Sequence, residues 1–207
     1  MPKFYSELIG VFFLTLTIGL TSSPVAVGLI LAALVYFAAD ISGSHFNPAI
    51  SLASWISDEI STNQFIRYLS AQFLGAITAA FLVWWLRGTT HTSQPGQATS
   101  TFEFIAVEFV FSVLFVLIFL FMMYPVRKRR NPVFGLVIGL AFAGCYMISE
   151  PITGTGLNPV LATAFIITDT INHGYSYYYL PVYVLAPLLG GLGAVTIYKK
   201  LVTHSVA

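Results

Sequence analysis

The sequence predicts an all-α membrane protein of six transmembrane helices plus two re-entrant half-helices, arranged as an inverted repeat. Three observations carry this. Hydrophobic residues make up 57% of the 207 and charged residues 8%, with a mean hydropathy of +0.84, against about 25% charged in a soluble domain. The apolar residues gather into six runs close to the ~20 residues that cross a bilayer. Two further stretches, Ser42-Gly43-Ser44-His45-Phe46-Asn47-Pro48-Ala49 and Thr153-Gly154-Thr155-Gly156-Leu157-Asn158-Pro159-Val160, echo one another.

The runs occupy residues 4–20, 24–39, 65–86, 102–124, 132–149 and 178–198. The first could be mistaken for a secretory signal. Glu7 lies inside it, however, and no Ala-x-Ala-like cleavage site follows before the next run, so it is read as a span. The link Thr21-Ser22-Ser23 makes the first two spans antiparallel neighbours. After the second and fifth spans come Asn47-Pro48 and Asn158-Pro159. Asn is a favoured N-cap, and Pro at the first helical position loses no hydrogen bond. The helices they start, 49–56 and 160–168, are short. At 1.5 Å per residue each covers roughly 12–15 Å, half of a ~30 Å hydrocarbon core, so two of them can meet end to end in mid-membrane. A polar loop with Gln94-Pro95-Gly96-Gln97 precedes the fourth span, and Arg127-Lys128-Arg129-Arg130 precedes the fifth. Positive charge marks the cytoplasmic side. Six spans place eight of the nine basic residues there with both termini, leaving only Arg87 outside. The tyrosines from 175 to 179 read as an interfacial belt.

The chain repeats itself over residues 1–88 and 102–203. Glu7 is echoed by Glu108, Asn47-Pro48 by Asn158-Pro159, and Ala71-Gln72-Phe73-Leu74-Gly75-Ala76 by Ala186-Pro187-Leu188-Leu189-Gly190-Gly191. Three spans separate the equivalents, so the second copy is inserted upside down. Inverted repeats with broken helices at the midplane build transporters and channels, and the small residues allow close helix packing. Other classes are disfavoured. A net charge of +1 suggests no nucleic-acid partner, and the one cysteine, Cys145, supports neither a disulfide framework nor a cysteine metal site. His45, His91, His173 and His204 sit in no Gly-x-Ser-x-Gly or His-Glu-x-x-His context, so no enzyme, cofactor or metal is expected. A proton-coupled transporter using Glu7 or Glu108 and a non-conducting scaffold are the alternatives.

The two Asn-Pro motifs, each behind Ser/Thr-Gly, together with Glu7, Glu108 and Ala186-Pro187-Leu188-Leu189-Gly190-Gly191, resemble the aquaporin (major intrinsic protein) family over nearly the whole chain. The resemblance implies a homotetramer in the cell membrane, each protomer carrying its own pore for water and small neutral solutes. It implies that Asn47 and Asn158, within the motifs Asn47-Pro48-Ala49 and Asn158-Pro159-Val160, donate amide N–H groups to passing water. The half-helix N-termini add roughly +0.5 charge each, which orients water, breaks the proton wire and repels cations. The backbone carbonyls of Gly43, Ser44, His45, Gly154, Thr155 and Gly156 would form an acceptor ladder, and Glu7 and Glu108 would brace the two loops through backbone N–H groups.

The same resemblance puts the selectivity filter on Val27, Tyr146, Thr155 and Leu161. Family water channels carry Arg at the last of these, an aromatic at the first and His at the second. The Asp that marks glycerol facilitators is Ala162 here. With Val27 and Leu161 in place, the constriction is expected to be broad and apolar, admitting a solute larger than water.

Overall fold

The computed structural model describes residues 1–21, 23–124, 131–154 and 156–206, with side chains through Val202. The described residues form α1 (Pro2–Leu20), α2 (Pro24–Ala38), α3 (Pro48–Ile56), α4 (Thr62–Arg87), α5 (Thr101–Met123), α6 (Phe134–Thr153), α7 (Pro159–Ile171) and α8 (Leu180–Val206). The predicted basic cluster, Arg127 to Arg130, lies outside the described residues.

Local chemistry sets the ends. Ser23, Ser61 and Ser100 cap α2, α4 and α5, and Ser100 forms a reciprocal capping box with Glu103. Gly88 ends α4 and Gly154 ends α6, both in left-handed backbone that costs glycine nothing. Sequence reasoning ends the fifth span at 149. In the structure α6 runs on through Pro151 to Thr153, because the first turn that could break it is the one Gly154 closes, with its N–H on the Glu150 carbonyl at 2.7 Å.

Five helices, α1, α4, α5, α6 and the last, are long and apolar enough to cross a membrane. At 15 residues, α2 falls short. The turn after it extends it, Ser42 and Gly43 N–H groups bonding to the Ala38 and Ala39 carbonyls. Helix α1 packs along α4, α5 along α8, and α2 along α6; α3 sits against α8, and α7 against α4. Gly75 and Gly190 permit the first two contacts. A Cβ on Gly75 would strike the Leu8 carbonyl of α1, and one on Gly190 would come within 2.8 Å of the Phe109 carbonyl of α5. The outside is apolar too. Phe13, Leu29, Phe37, Trp85, Leu140 and Leu185 are among its exposed side chains, as expected where lipid replaces water. Tyr175 and Tyr178 are 72% and 69% exposed.

The two re-entrant loops and what they hold

Helices α3 and α7 begin at the Asn-Pro pairs, as the sequence predicts. Asn47 and Asn158 have extended backbone, and each side-chain oxygen caps its own helix by accepting the N–H two residues on, from Ala49 at 2.8 Å and from Val160 at 3.3 Å. Each side-chain amide then crosses to the other loop. Asn47 Nδ2 donates to the Leu157 carbonyl at 2.8 Å, and Asn158 Nδ2 donates to the Phe46 carbonyl at 2.9 Å. Residues 110 and 112 apart in sequence thereby lock two helix N-termini together. An amide carries two N–H donors, so each Asn keeps a second one beside the point where both positive helix ends converge.

The loops leading to those Asn residues are irregular. Gly43, Ser44, Phe46, Gly154 and Leu157 all have positive φ, between 50° and 87°. Non-glycine residues rarely adopt that region, and three of the five are not glycine. The strain is held by buried bonds. Glu7 Oε1 accepts the Ser42 hydroxyl at 2.7 Å and the His45 N–H at 2.9 Å, while Oε2 accepts the Phe46 N–H and Gln72 Nε2, both at 2.8 Å. In the second loop Glu108 Oε2 accepts the Leu157 N–H at 3.0 Å. Its Oε1 has no partner among the described residues, nor have the buried hydroxyls of Ser112 and Ser149.

The carbonyls of Gly43, Ser44, His45 and Gly156 accept no hydrogen bond among the described residues. Buried backbone is rarely left unpaired, so a row of such acceptors suits a wet lining. Thr155 lies outside the described residues. Of the remaining filter positions, Val27 and Leu161 are 0% exposed and Tyr146 is 1% exposed. All three belong to one buried apolar cluster, and Tyr146 stacks on Phe142 at 6.0 Å. Val27, Tyr146 and Leu161 thus lie in the protein interior, away from the lipid-facing surface.

Sequence reasoning missed a pair of braces. The Tyr68 hydroxyl donates to the Ser42 carbonyl, and the Tyr183 hydroxyl donates to the Thr153 carbonyl. Each tyrosine stands three residues before the repeated Ala71 or Ala186. That equal spacing was the available signal. Also unforeseen is the anchoring of the second half-helix by the segment after α4. His91 lies over Phe165 with ring centroids 4.3 Å apart, and Asp169 accepts the Ser176 hydroxyl at 2.6 Å and the Thr90 and Thr92 hydroxyls at 3.4 Å. Burial, with Arg87 as a lesser cause, pulls the His91 pKa down to about 4. Among the described residues no group of three His, Cys, Asp or Glu side chains could hold a metal.

The arrangement is thus a buried junction of two positive helix ends with two amide donors, approached by strings of unpaired carbonyls. It offers hydrogen bonds to a neutral, water-like molecule, and the two positive helix ends disfavour a cation.

Comparison with known proteins agrees. The sequence matches the family described as Major intrinsic protein over residues 4–198. It is 31% identical to the probable aquaporin AqpM of Archaeoglobus fulgidus over 85% of this chain and 74% of that protein. It is 29% identical to aquaporin Z of Rhodopseudomonas palustris over 96% of this chain and 92% of that one. The X-ray structure of the aquaglyceroporin from Plasmodium falciparum superposes with a TM-score of 0.88 at 20% identity, covering 99% of this chain and 98% of that one, a likeness of fold.

Proposed function

The chain belongs to the major intrinsic protein family, and on that premise we propose that it is a passive membrane channel for water and small neutral solutes. The observation that carries this reading is the reciprocal pair of bonds from Asn47 to the Leu157 carbonyl and from Asn158 to the Phe46 carbonyl. They fix two helix N-termini nose to nose and aim two amides at one point.

A water crossing that point accepts from both second N–H groups through its oxygen. Its own hydrogens then point away, toward the carbonyls of Gly43, Ser44 and His45 on one side and of Gly154, Thr155 and Gly156 on the other. A water so held cannot pass a proton along the file, and the helix ends repel hydronium and metal cations. The residues Asn47-Pro48-Ala49 and Asn158-Pro159-Val160 are the pore centre, and Val27, Tyr146, Thr155 and Leu161 the selectivity filter. Glu7 and Glu108 are braces, turned toward backbone N–H groups rather than toward a path. That placement favours the channel over a proton-coupled transporter.

We further infer that residues 1–88 and 102–203 are two copies inserted in opposite senses. The α1–α4 and α5–α8 pairings, the α3–α8 and α7–α4 pairings, and the Tyr68 and Tyr183 braces support it. Both termini face the cytoplasm, with the basic segment 127–130, and four protomers assemble as in the family, each with its own pore. The test is light scattering on proteoliposomes under osmotic shock. Water permeability should exceed that of protein-free vesicles, with glycerol and urea as paired solutes. Permeability equal to bare lipid for all three would refute the reading.

A further inference from the structure

The two halves build one cleft twice and line it with different chemistry. Where α1 starts beside α4, a cavity of about 200 Å³ is lined by Lys3, Phe4, Asn63, Gln64, Arg67 and Tyr68, among others. Where α5 starts beside α8, the lining includes Phe104, Tyr178, Tyr179 and Val182. The spacing that pairs Glu7 with Glu108 puts Phe104 in the place of Lys3. The spacing that pairs Ala71 with Ala186 puts Val182 in the place of Arg67, and Tyr178 and Tyr179 in the places of Asn63 and Gln64. Phe104 packs its ring against Tyr183 with centroids 4.8 Å apart. One half thus forms this junction with apolar and aromatic side chains, so the fold does not itself require the two cations of the other.

Among the described residues no carboxylate neutralises those cations. Lys3 and Arg67 are exposed, neither makes a hydrogen bond or ion pair among the described residues, and no Asp or Glu lines the cavity. Gln64 donates to the Tyr68 hydroxyl at 2.7 Å, and its amide has a second N–H to offer. The cavity also runs on into lipid-facing surface. A groove of about 360 Å³ shares Phe4 and Arg67 with it and continues along Tyr5, Ile66 and Ser70. Tyr5 and Ile66 are exposed. Cations at one end and an apolar wall at the other match an amphiphile with an anionic head. A soluble anion would leave the groove unused. A zwitterionic lipid would bring its own cation to Lys3 and Arg67, where no carboxylate receives it.

We propose that this cleft between α1 and α4 binds an anionic phospholipid, its phosphate between Lys3 and Arg67 and an acyl chain along Tyr5 and Ile66. This rests on the membrane placement of the two helices, not on what the pore conducts. Basic pockets between spans are suited to such headgroups. The bound lipid acts on the first loop through its neighbours. Glu7 stands one turn along α1 from Lys3, and Tyr68, next to Arg67, donates its hydroxyl to the Ser42 carbonyl. A lipid that joins Lys3 to Arg67 ties α1 to α4 beside the 2.8 Å bond from Gln72 to Glu7, and so steadies the brace.

The experiment titrates the detergent-purified protein with phosphatidylglycerol, with phosphatidylcholine of the same chains, and with glycerol 3-phosphate as the headgroup alone, reading the first binding step by native mass spectrometry. The variants are Lys3→Gln, Arg67→Gln, the two combined, and Lys200→Gln as a charge-matched control. Each cation beside an anionic lipid is worth roughly fivefold in affinity. Phosphatidylglycerol should therefore bind wild type and Lys200→Gln alike, each single variant about fivefold more weakly, and the double variant about twenty-five-fold more weakly. It should raise the Tm of wild type and not that of the double variant. If the double variant does not fold, the single variants carry the test. Unchanged phosphatidylglycerol affinity in both single variants, or phosphatidylcholine bound as tightly by wild type, refutes the site. Glycerol 3-phosphate bound as tightly as phosphatidylglycerol would make this a site for a soluble anion and refute the lipid. The osmotic assay decides the channel reading separately.

Discussion

The two loops that meet at the Asn pair are built on one plan but held differently. Around the first, the Glu7 carboxylate receives four donors, two of them backbone N–H groups and two the side chains of Ser42 and Gln72. Around the second, Glu108 has the Leu157 N–H and the Thr153 side chain as partners, while its Oε1 has no partner among the described residues. Where the repeat puts Gln72 in one half it puts Pro187 in the other, which has no donor to offer. The second half compensates from outside, with His91 over Phe165 and Asp169 tied to Thr90, Thr92 and Ser176. The same fold requirement is thus met once by a buried carboxylate network and once by a clamp from the segments flanking the half-helix.

The largest effect expected of this difference is at the two carboxylates. Glu7→Ala strands four donors, and at roughly 1–3 kcal/mol each the loss rivals a typical total stability of about 5–15 kcal/mol. No folded protein should be recovered. Glu7→Gln still deprives one pair of donors of an acceptor, about 2–6 kcal/mol on the same scale. Glu108→Gln can place its amide at the unpartnered oxygen, beside Ser149, and should shift stability by about 1 kcal/mol or less. Recovery of folded protein sets Glu7→Ala apart, and thermal unfolding in detergent ranks the two Gln variants against wild type. Equal damage from the two Gln substitutions would erase the asymmetry.

The clamp on the second half should show in pH. His91 has a folded pKa of about 4, below the ordinary 6.5 of an unfolded chain, so as pH falls the unfolded state takes up the proton first. Its contribution is complete above pH 6.5, is lost between 6.5 and about 4, and is constant below. At 1.36 kcal/mol per unit the loss is on the order of 3 kcal/mol. The Tm of His91→Gln should fall less steeply than wild type between pH 7 and 4.5. Parallel slopes would remove His91 from the clamp.

The brace on the first half should respond to Gln72→Leu. The change removes the donor to both Glu7 Oε2 and Ser51 Oγ and should cost about 1–3 kcal/mol, measured by denaturant or thermal midpoint. Ser149→Ala marks the low end. Its hydroxyl has no partner among the described residues, so the substitution should change stability by less than about 0.5 kcal/mol. Ser51→Ala, by contrast, breaks the link between Gln72 and His45 and should be several times worse.

Much of this was written in the chain. Asn-Pro pairs announce helix starts through capping chemistry alone, and long apolar runs announce the spans, so both half-helices and a helix at each of the six runs are legible. The end of α6 was not, because a proline inside a helix reads as a break unless the glycine that closes the turn is given more weight. The Glu7 and Glu108 positions are visible as charges in apolar runs, yet how many donors each receives depends on loop backbone with positive φ, which no periodicity encodes. The near-complete burial of Val27, Tyr146 and Leu161 was likewise invisible. Residue size at a filter position does not say whether neighbouring helices move in to fill the space. Tyr124 was hidden for another reason: a tyrosine at a span's end looks like an interfacial anchor until a histidine 79 residues away is found bonded to it.

The central claim is that the crossed Asn47 and Asn158 amides pass water and stop protons. The direct measurement loads one preparation of proteoliposomes with a pH-sensitive dye, imposes an osmotic step and a pH gradient in turn, and reads volume and internal pH. The account predicts water flux well above protein-free vesicles with the pH gradient decaying at the protein-free rate. Protein-dependent collapse of the gradient, on the timescale of the water flux, would contradict it.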